Sequence, residues 1–286
     1  MTQTAHDDAF TEARPMLLGL AYRILGSRAD AEDAVQDTYV KWLGAHDVES
    51  PGAWLTATCT RRCIDMLRAA HRSRVDYVGP WLPEPLHTPI EEPGDVGLAA
   101  SLGTAFLLVL ERLTPKERAA YLLHEVFDVS YAETARTLEI NETACRKLVS
   151  RARAHVDQAK VRHVTPRERQ DELLAAFEVA ITSGELDRLS ALLADDVELR
   201  ADGGGKASAI PKPLHGKRDV LVFVGKLREW WRGYEWVATE LNGGRGVVLR
   251  MDGAITASLS FAYDESGAVT HLYIVRNPDK LAALAS

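Results

Sequence analysis

The sequence predicts a multidomain chain, two all-α helical modules followed by an α+β domain. Three observations carry this. Apolar residues recur at helical spacing through most of the first 160 positions. The stretch DYVGPWLPEPLHTPIEEPGDVG, with five prolines, five acids and no lysine or arginine, interrupts them. After Thr165-Pro166 the pattern changes to two helices and a short strand, a third helix, and then alternating segments punctuated by NGG, DG and ESG. A length of 286 residues, 46% apolar and 26% charged, suits two or three soluble domains.

Residues 7 to 44 read as two helices. Phe10, Met16, Leu17, Leu20, Ala21, Ile24 and Leu25 mark the first, Gly26-Ser27 breaks it, and Asp30 places an acid in the first turn of the second. The second helix buries Ala31, Ala34, Val35, Tyr39 and Trp42. It presents Glu32, Asp33, Gln36 and Asp37 as an acidic stripe around Val40. That stripe is either a solvated face or a docking face for a basic partner helix.

Ser50-Pro51 supplies a cap and a proline at the first helical position. The helix that follows turns Cys59, Cys63, Ile64, Met66, Leu67 and Ala70 inward. Arg61, Arg68 and Arg72 line its outer face, with Arg62 and Arg74 nearby and Trp54 close to the same stripe. Arginines beside an aromatic suit a phosphate backbone plus an unpaired, stacked base; the structural alternative is that Trp54 packs on a neighbouring helix.

Ser130 to Leu138 and Glu142 to His155 form the next pair, separated by the tight turn Glu139-Ile140-Asn141. In the second of these helices Cys145, Leu148, Val149, Ala152 and Val156 share one side, with Arg146, Lys147, Ser150, Arg151 and Arg153 outside and Thr143 at the start. The pair reads as helix-turn-helix, its second helix shaped for a major groove. An ordinary hairpin with a solvated basic face would have the same periodicity.

The formal net charge of -7 does not oppose this, because acid is concentrated between residues 76 and 110 and in the C-terminal part, while basic residues cluster on particular helices. No apolar run approaches the roughly 20 residues of a membrane span. Asp7, Asp8 and Glu12 stand where a secretory signal would be basic, so a cytoplasmic location is expected. Cys59, Cys63 and Cys145 lack the spacing of a disulfide framework or a zinc site, and no metal or cofactor is expected.

LLGLAYRILGSRADAEDAVQDTYVKW, PGAWLTATCTRRCIDMLRAAHRSR, LTPKERAAYLLHEVFDVSYAETARTLEI and SRARAHV, in that order, resemble regions 2 and 4 of a bacterial extracytoplasmic-function sigma factor of the sigma-70 family. The resemblance covers residues 7 to 74 and about 100 to 160; Cys145, where the family more often has valine, is a small departure. It implies core RNA polymerase and promoter DNA as partners. Glu32, Asp33, Gln36, Asp37 and Val40 would dock on polymerase. Residues 45 to 52, AHDVESPG, would capture a flipped base beside Trp54, Arg61, Arg62, Arg68, Arg72 and Arg74. Thr143, Arg146, Lys147, Ser150, Arg151 and Arg153 would meet the upstream element as duplex. WLPEP, DGGGK and NPDKL resemble signatures of a subgroup with a C-terminal extension, and the order of elements after residue 166 resembles the cone-shaped SnoaL-like α+β fold.

The expected organisation is therefore region 2 over 1 to 75, an acidic linker over 76 to 99, region 4 over 100 to 165, and a SnoaL-like domain over 166 to 286. Trp81, Leu82, Pro83 and Pro85 would anchor the linker on a folded surface, and Asp202, Lys206, Asn277 and Asp279 would make regulatory contacts within the chain, between the C-terminal domain, read as a fused regulator, and the sigma modules. The free protein is expected to be monomeric. An enzyme would need a general base on the cone wall. Asp202, His215, His271 and Tyr273 qualify by residue type alone, with no spacing to link them, so no catalysis is expected. DGGGK lacks the phosphate-loop spacing and reads as a tight turn. The competing reading is a stand-alone helix-turn-helix regulator with a ligand-sensing or enzymatic C-terminal domain, which would be dimeric and bind duplex unaided.

Overall fold

The computed structural model describes residues 3–73, 77–87, 101–159 and 165–284, the side chains of residues 3–6 and 70–73 excepted. The chain divides into two compact units. One combines Met1–Val75 with Val109–Ala159, and the other combines Asp76–Leu108 with Lys160–Ser286. These boundaries are not the sequence-based ones: both helical modules fall in one unit, and residues 76–108, which include the start of the expected region 4, group with the C-terminal residues.

In the helical unit, α1 (Gln3–Leu25) and α2 (Arg28–Leu43) meet at Gly26, which has φ 71°. Ser27 caps α2 by accepting the amide of Asp30 at 3.2 Å. α2 buries Ala31, Ala34, Val35, Thr38 and Trp42, and α3 (Pro51–Ser73) turns its cysteine face inward, with Cys59 and Cys63 fully buried as free thiols. α4 (Thr104–Leu110) falls mostly among the residues of the C-terminal unit, and in the helical unit α5 (Pro115–Tyr121) opens with a reciprocal capping box between Thr114 and Glu117 and runs into a π-helical turn, Leu122–Val126. α6 (Tyr131–Thr137) is capped by Ser130, and α7 (Glu142–Ala159) by Asn141, whose side chain accepts the amide of Ala144 at 2.8 Å. Between them Glu139 takes the left-handed conformation, φ 53°. Cys145, Val149, Ala152 and Val156 form the buried side of α7, as the periodicity requires.

The two halves of this unit are joined through buried charge. The Arg118 side chain is 4% exposed; its guanidinium donates to the Ile24 carbonyl at the end of α1 at 2.6 Å and pairs with Glu111 at 2.8 Å. A buried guanidinium needs such partners, since an isolated buried charge costs several kcal/mol. Arg23 lies over the Phe127 ring at 5.4 Å.

The C-terminal unit places α8 (Arg167–Thr182), α9 (Asp187–Leu192) and α10 (Lys217–Trp230) with a six-stranded sheet. The strands are β1 (Leu193–Asp202), β2 (Leu214–His215), β3 (Glu235–Leu241), β4 (Gly244–Met251), β5 (Ala254–Tyr263) and β6 (Val269–Val275), in the order β2-β1-β6-β5-β4-β3. The expected hairpins are present. Asn242-Gly243 and Asp252-Gly253 both carry positive φ at both positions, the backbone twist that two-residue hairpins require. The expectation of four antiparallel strands after the helices is incomplete. β1 is ten residues long and pairs in parallel with β6, while β2 pairs with β1 antiparallel.

Alternation assigns the two sheet faces. Val197, Leu199, Val247, Leu249, Leu259, Leu272 and Ile274 pack with Leu173, Phe177, Val224 and Leu227 of the helices. Val248, Tyr273 and Val275 face the other way, toward Leu82, Leu281 and Leu284. The last segment is α11 (Pro278–Leu281), followed by a single 3-10 turn. Among the described residues no helix is long and apolar enough to cross a membrane.

Phe177 is fully buried and stacks on Trp236 at 5.7 Å, with Phe261 edge-on at 5.8 Å. Phe177→Ala should therefore destabilise the C-terminal unit by about 3–5 kcal/mol. Tryptophan-detected chemical denaturation should show a lowered midpoint for that unit, with the helical unit's transition unchanged.

Candidate nucleic-acid interface and linker site

The helical unit presents two charged surfaces. On α2, Asp33, Gln36 and Val40 are exposed, Val40 by 62%, with Leu43 also exposed at 46%. Glu32 pairs with Arg28 at 2.9 Å and Asp37 with Arg62 at 2.6 Å. On α3, Arg61 pairs with Glu139 of the helix-turn-helix turn at 2.8 Å and Arg68 with Asp65 at 3.2 Å. The Arg72 side chain and Arg74 lie outside the described residues. Trp54 packs against the buried Trp42, ring centres 5.4 Å apart, and is itself half-buried. Arg61–Glu139 and Arg68–Asp65 are exposed pairs, each worth at most about 1 kcal/mol, so a phosphate can take over either arginine at little cost.

On α7, Arg146 is held by Glu142 at 2.5 Å and lies over the Tyr131 ring at 4.2 Å. Arg151 pairs with Glu117 at 3.1 Å and Arg153 with Glu125 at 2.5 Å. Burial works against ionisation of Glu117, but bonds from Thr114 and the charge of Arg151 outweigh it and hold its carboxyl below the usual range. Thr143, Lys147 and Ser150 are exposed.

In the C-terminal unit the three unexplained motifs meet at one carboxylate. Asp202, at the end of β1, is completely buried. It accepts the Tyr77 hydroxyl at 2.6 Å, the Leu82 amide at 2.9 Å and the Lys280 ammonium at 2.6 Å. Its carbonyl accepts the amides of Arg276 and Asn277 at 2.7 and 3.0 Å. Lys280 also donates to the Leu82 carbonyl at 2.5 Å and sits over the rings of Trp81 at 4.4 Å and Tyr77 at 5.0 Å. Asn277 donates to the Tyr77 oxygen at 3.0 Å and caps α11. Burial and the bond to Asp202 push the Tyr77 phenol above its ordinary value, so it remains a donor.

The DGGGK loop makes this convergence possible. A Cβ on Gly203 would meet the Ala207 carbonyl oxygen at 2.1 Å, and one on Gly204, φ +58°, would meet Asn277 Nδ2 at 2.2 Å. Lys206 and Asp279 pair at 2.5 Å on the exposed rim. Leu82 is fully buried and Pro83 and Pro85 are buried beside it. Further along, Leu86 exchanges two bonds with Asn242 of the β3–β4 turn, at 3.0 and 3.1 Å, and His87 bridges Leu241. Tyr77, Lys280 and Asn242 were not legible as site residues from the sequence, although Lys280 lies inside NPDKL.

The structure does not bring the four general-base candidates into one constellation apart from the neighbouring His271 and Tyr273. Asp202 is ion-paired, His215 is exposed beside Glu198 at 3.2 Å, and His271 stacks on the buried Tyr273 at 5.7 Å. Asp202→Asn leaves the Lys280 ammonium, 12% exposed, without its counter-charge. That should cost about 3–5 kcal/mol, whereas Asp202→Asn combined with Lys280→Met should recover part of the loss in the same denaturation measurement.

The family model described as Sigma-70 region 2 matches residues 9–73, and that described as Sigma-70, region 4 matches residues 104–156. The ECF RNA polymerase sigma factor SigJ of Mycobacterium tuberculosis (strain ATCC 25618 / H37Rv) is 34% identical over 95% of this chain and 91% of its own length. The probable ECF RNA polymerase sigma factor SigI of the same strain is 27% identical over 96% of this chain and 94% of its own length. The crystal structure of M. tuberculosis SigJ superposes with a TM-score of 0.76 at 31% identity, covering 96% of this chain and 97% of that one. The chain belongs to the extracytoplasmic-function RNA polymerase sigma factors of the sigma-70 family.

Proposed function

We propose that the chain directs core RNA polymerase to a set of promoters, and that its C-terminal domain regulates this by holding the linker. The α2 face of Glu32, Asp33, Gln36, Asp37 and Val40 docks on a basic helical surface of the polymerase: its charge is complementary and its exposed Val40 and Leu43 supply apolar contact. α3, with Arg61, Arg62 and Arg68, engages separated promoter strand, and α7 the upstream duplex. The C-terminal domain acts without catalysis, because its buried carboxylate serves as a structural anchor.

The observation that carries the regulatory reading is the Asp202 cluster. It fixes residues 77 to 82, which connect the two promoter-binding halves in sequence, to the segment that ends the C-terminal domain. A linker held in this way has one set of positions. A partner that needs it elsewhere must supply enough differential binding energy to release it, which makes the cluster a population-shift device.

Leu82→Ala should loosen the linker by about 2–5 kcal/mol while leaving both promoter-binding helices intact. The expected result is increased core-dependent run-off transcription at limiting polymerase. Output, polymerase affinity and promoter choice all equal to wild type would refute regulation through the linker.

A further inference from the structure

The arginines of the reading helix are already engaged by acids of their own unit, and this separates two kinds of DNA contact. At about 100° per residue, Thr143, Lys147 and Ser150 follow one another at i, i+4 and i+7, along the side opposite Cys145, Val149, Ala152 and Val156. All three are exposed and have no hydrogen-bonding or charged partner among the described residues. Arg146 and Arg153 flank this row on one side and Arg151 on the other. An α-helix with its side chains is about 10–12 Å across and the major groove about 12 Å wide, so the central row faces the groove floor and the flanks face its phosphate walls.

The ion pairs reinforce that division. Glu117 and Glu125 are only 12% and 18% exposed, and Glu117 is further fixed by the Thr114 capping box. Swinging Arg151 or Arg153 to the groove floor would strand a largely buried carboxylate. Turning outward to a phosphate would not, because a guanidinium has five donors and can serve the acid and a phosphate together. Arg146 lies on the flank of the row by helical angle, beside Glu142 and over the Tyr131 ring, in an exposed pair that a phosphate can replace at little cost. Lys147 has three free donors on a flexible stem, which suit the O6 and N7 acceptors of guanine, and the hydroxyls of Ser150 and Thr143 can donate or accept.

We propose that Lys147 reads a guanine in the upstream promoter element, with Thr143 and Ser150 completing the base-facing row, while Arg146, Arg151 and Arg153 position the helix on phosphates. This assignment rests on the sigma-factor reading above. The test is core-dependent transcription by the full chain from a promoter library randomised in the upstream element, with thermal melting to show that each variant is folded. Wild type should select a guanine at one position. Lys147→Ala should lose roughly 5- to 150-fold of discrimination there, and Lys147→Arg should retain it. Arg151→Ala and Arg153→Ala should lower output from all promoters by a common factor, with the order of preference unchanged and the salt dependence of holoenzyme binding reduced by about one ion each. An unchanged preference in Lys147→Ala, or an altered one in Arg151→Ala, would overturn the assignment. A wild type that transcribes with no upstream base preference overturns the assignment alone. One that drives no core-dependent transcription overturns the sigma-factor reading with it.

Discussion

The C-terminal unit depends on one constraint, that the carboxylate of Asp202 is entirely removed from water and must be neutralised and bonded from within. It recruits Lys280 for charge, Tyr77 and the Leu82 amide as donors, and through its own carbonyl the backbone of Arg276 and Asn277. The partners come from two distant stretches of sequence, Tyr77 and Leu82 from the linker and Arg276, Asn277 and Lys280 from the end of the sheet and α11. Satisfying one acid therefore fixes the linker, the end of β1 and α11 relative to one another. Side chains on Gly203 or Gly204 would block the approach, which is why the loop carries glycine there. Removing Lys280 or Asp202 leaves the other as an uncompensated buried charge, so the pair behaves as a unit.

Charge is used differently in the helical unit. Arg61 pairs with Glu139 and Arg68 with Asp65 at the surface, where water already satisfies both partners and the pair adds little. Such contacts orient a side chain without committing it, and a nucleic-acid phosphate can replace the acid. Arg118 is the exception. Its buried bonds to Ile24 and Glu111 tie the first and second groups of helices together, so exchange at the surface takes place on a fixed frame.

What was legible in the sequence was local. Helical period placed the buried face of α7, and Asn242-Gly243 and Asp252-Gly253 marked their hairpins because positive φ at both central positions favours those residue types. DGGGK reads as a tight loop, and the chain turns there with Gly204 and Gly205 at positive φ. What was not legible depends on distant partners. The parallel pairing of β1 with β6 rests on a register that no short-range pattern encodes. WLPEP reads as an anchor on some folded surface, but nothing in its sequence says which; Leu82, Pro83 and Pro85 are buried in the C-terminal unit. Asn242 announced a turn, while its side-chain bond to Leu86 could only be seen folded. For Trp54 the sequence allows both a stacking surface and packing on a neighbouring helix; its ring meets that of Trp42, which accounts for its half-burial.

Under the proposed function, the linker is held by the Asp202 cluster in the free chain and released when polymerase engages. Amide hydrogen exchange over residues 77 to 87 in the full-length protein, with and without core RNA polymerase, tests it most directly. The amides of Leu82 and Leu86, bonded to Asp202 and Asn242, should be protected in the free chain and should exchange faster once polymerase is bound. Equal protection in both states, with polymerase shown to be bound, would contradict the claim.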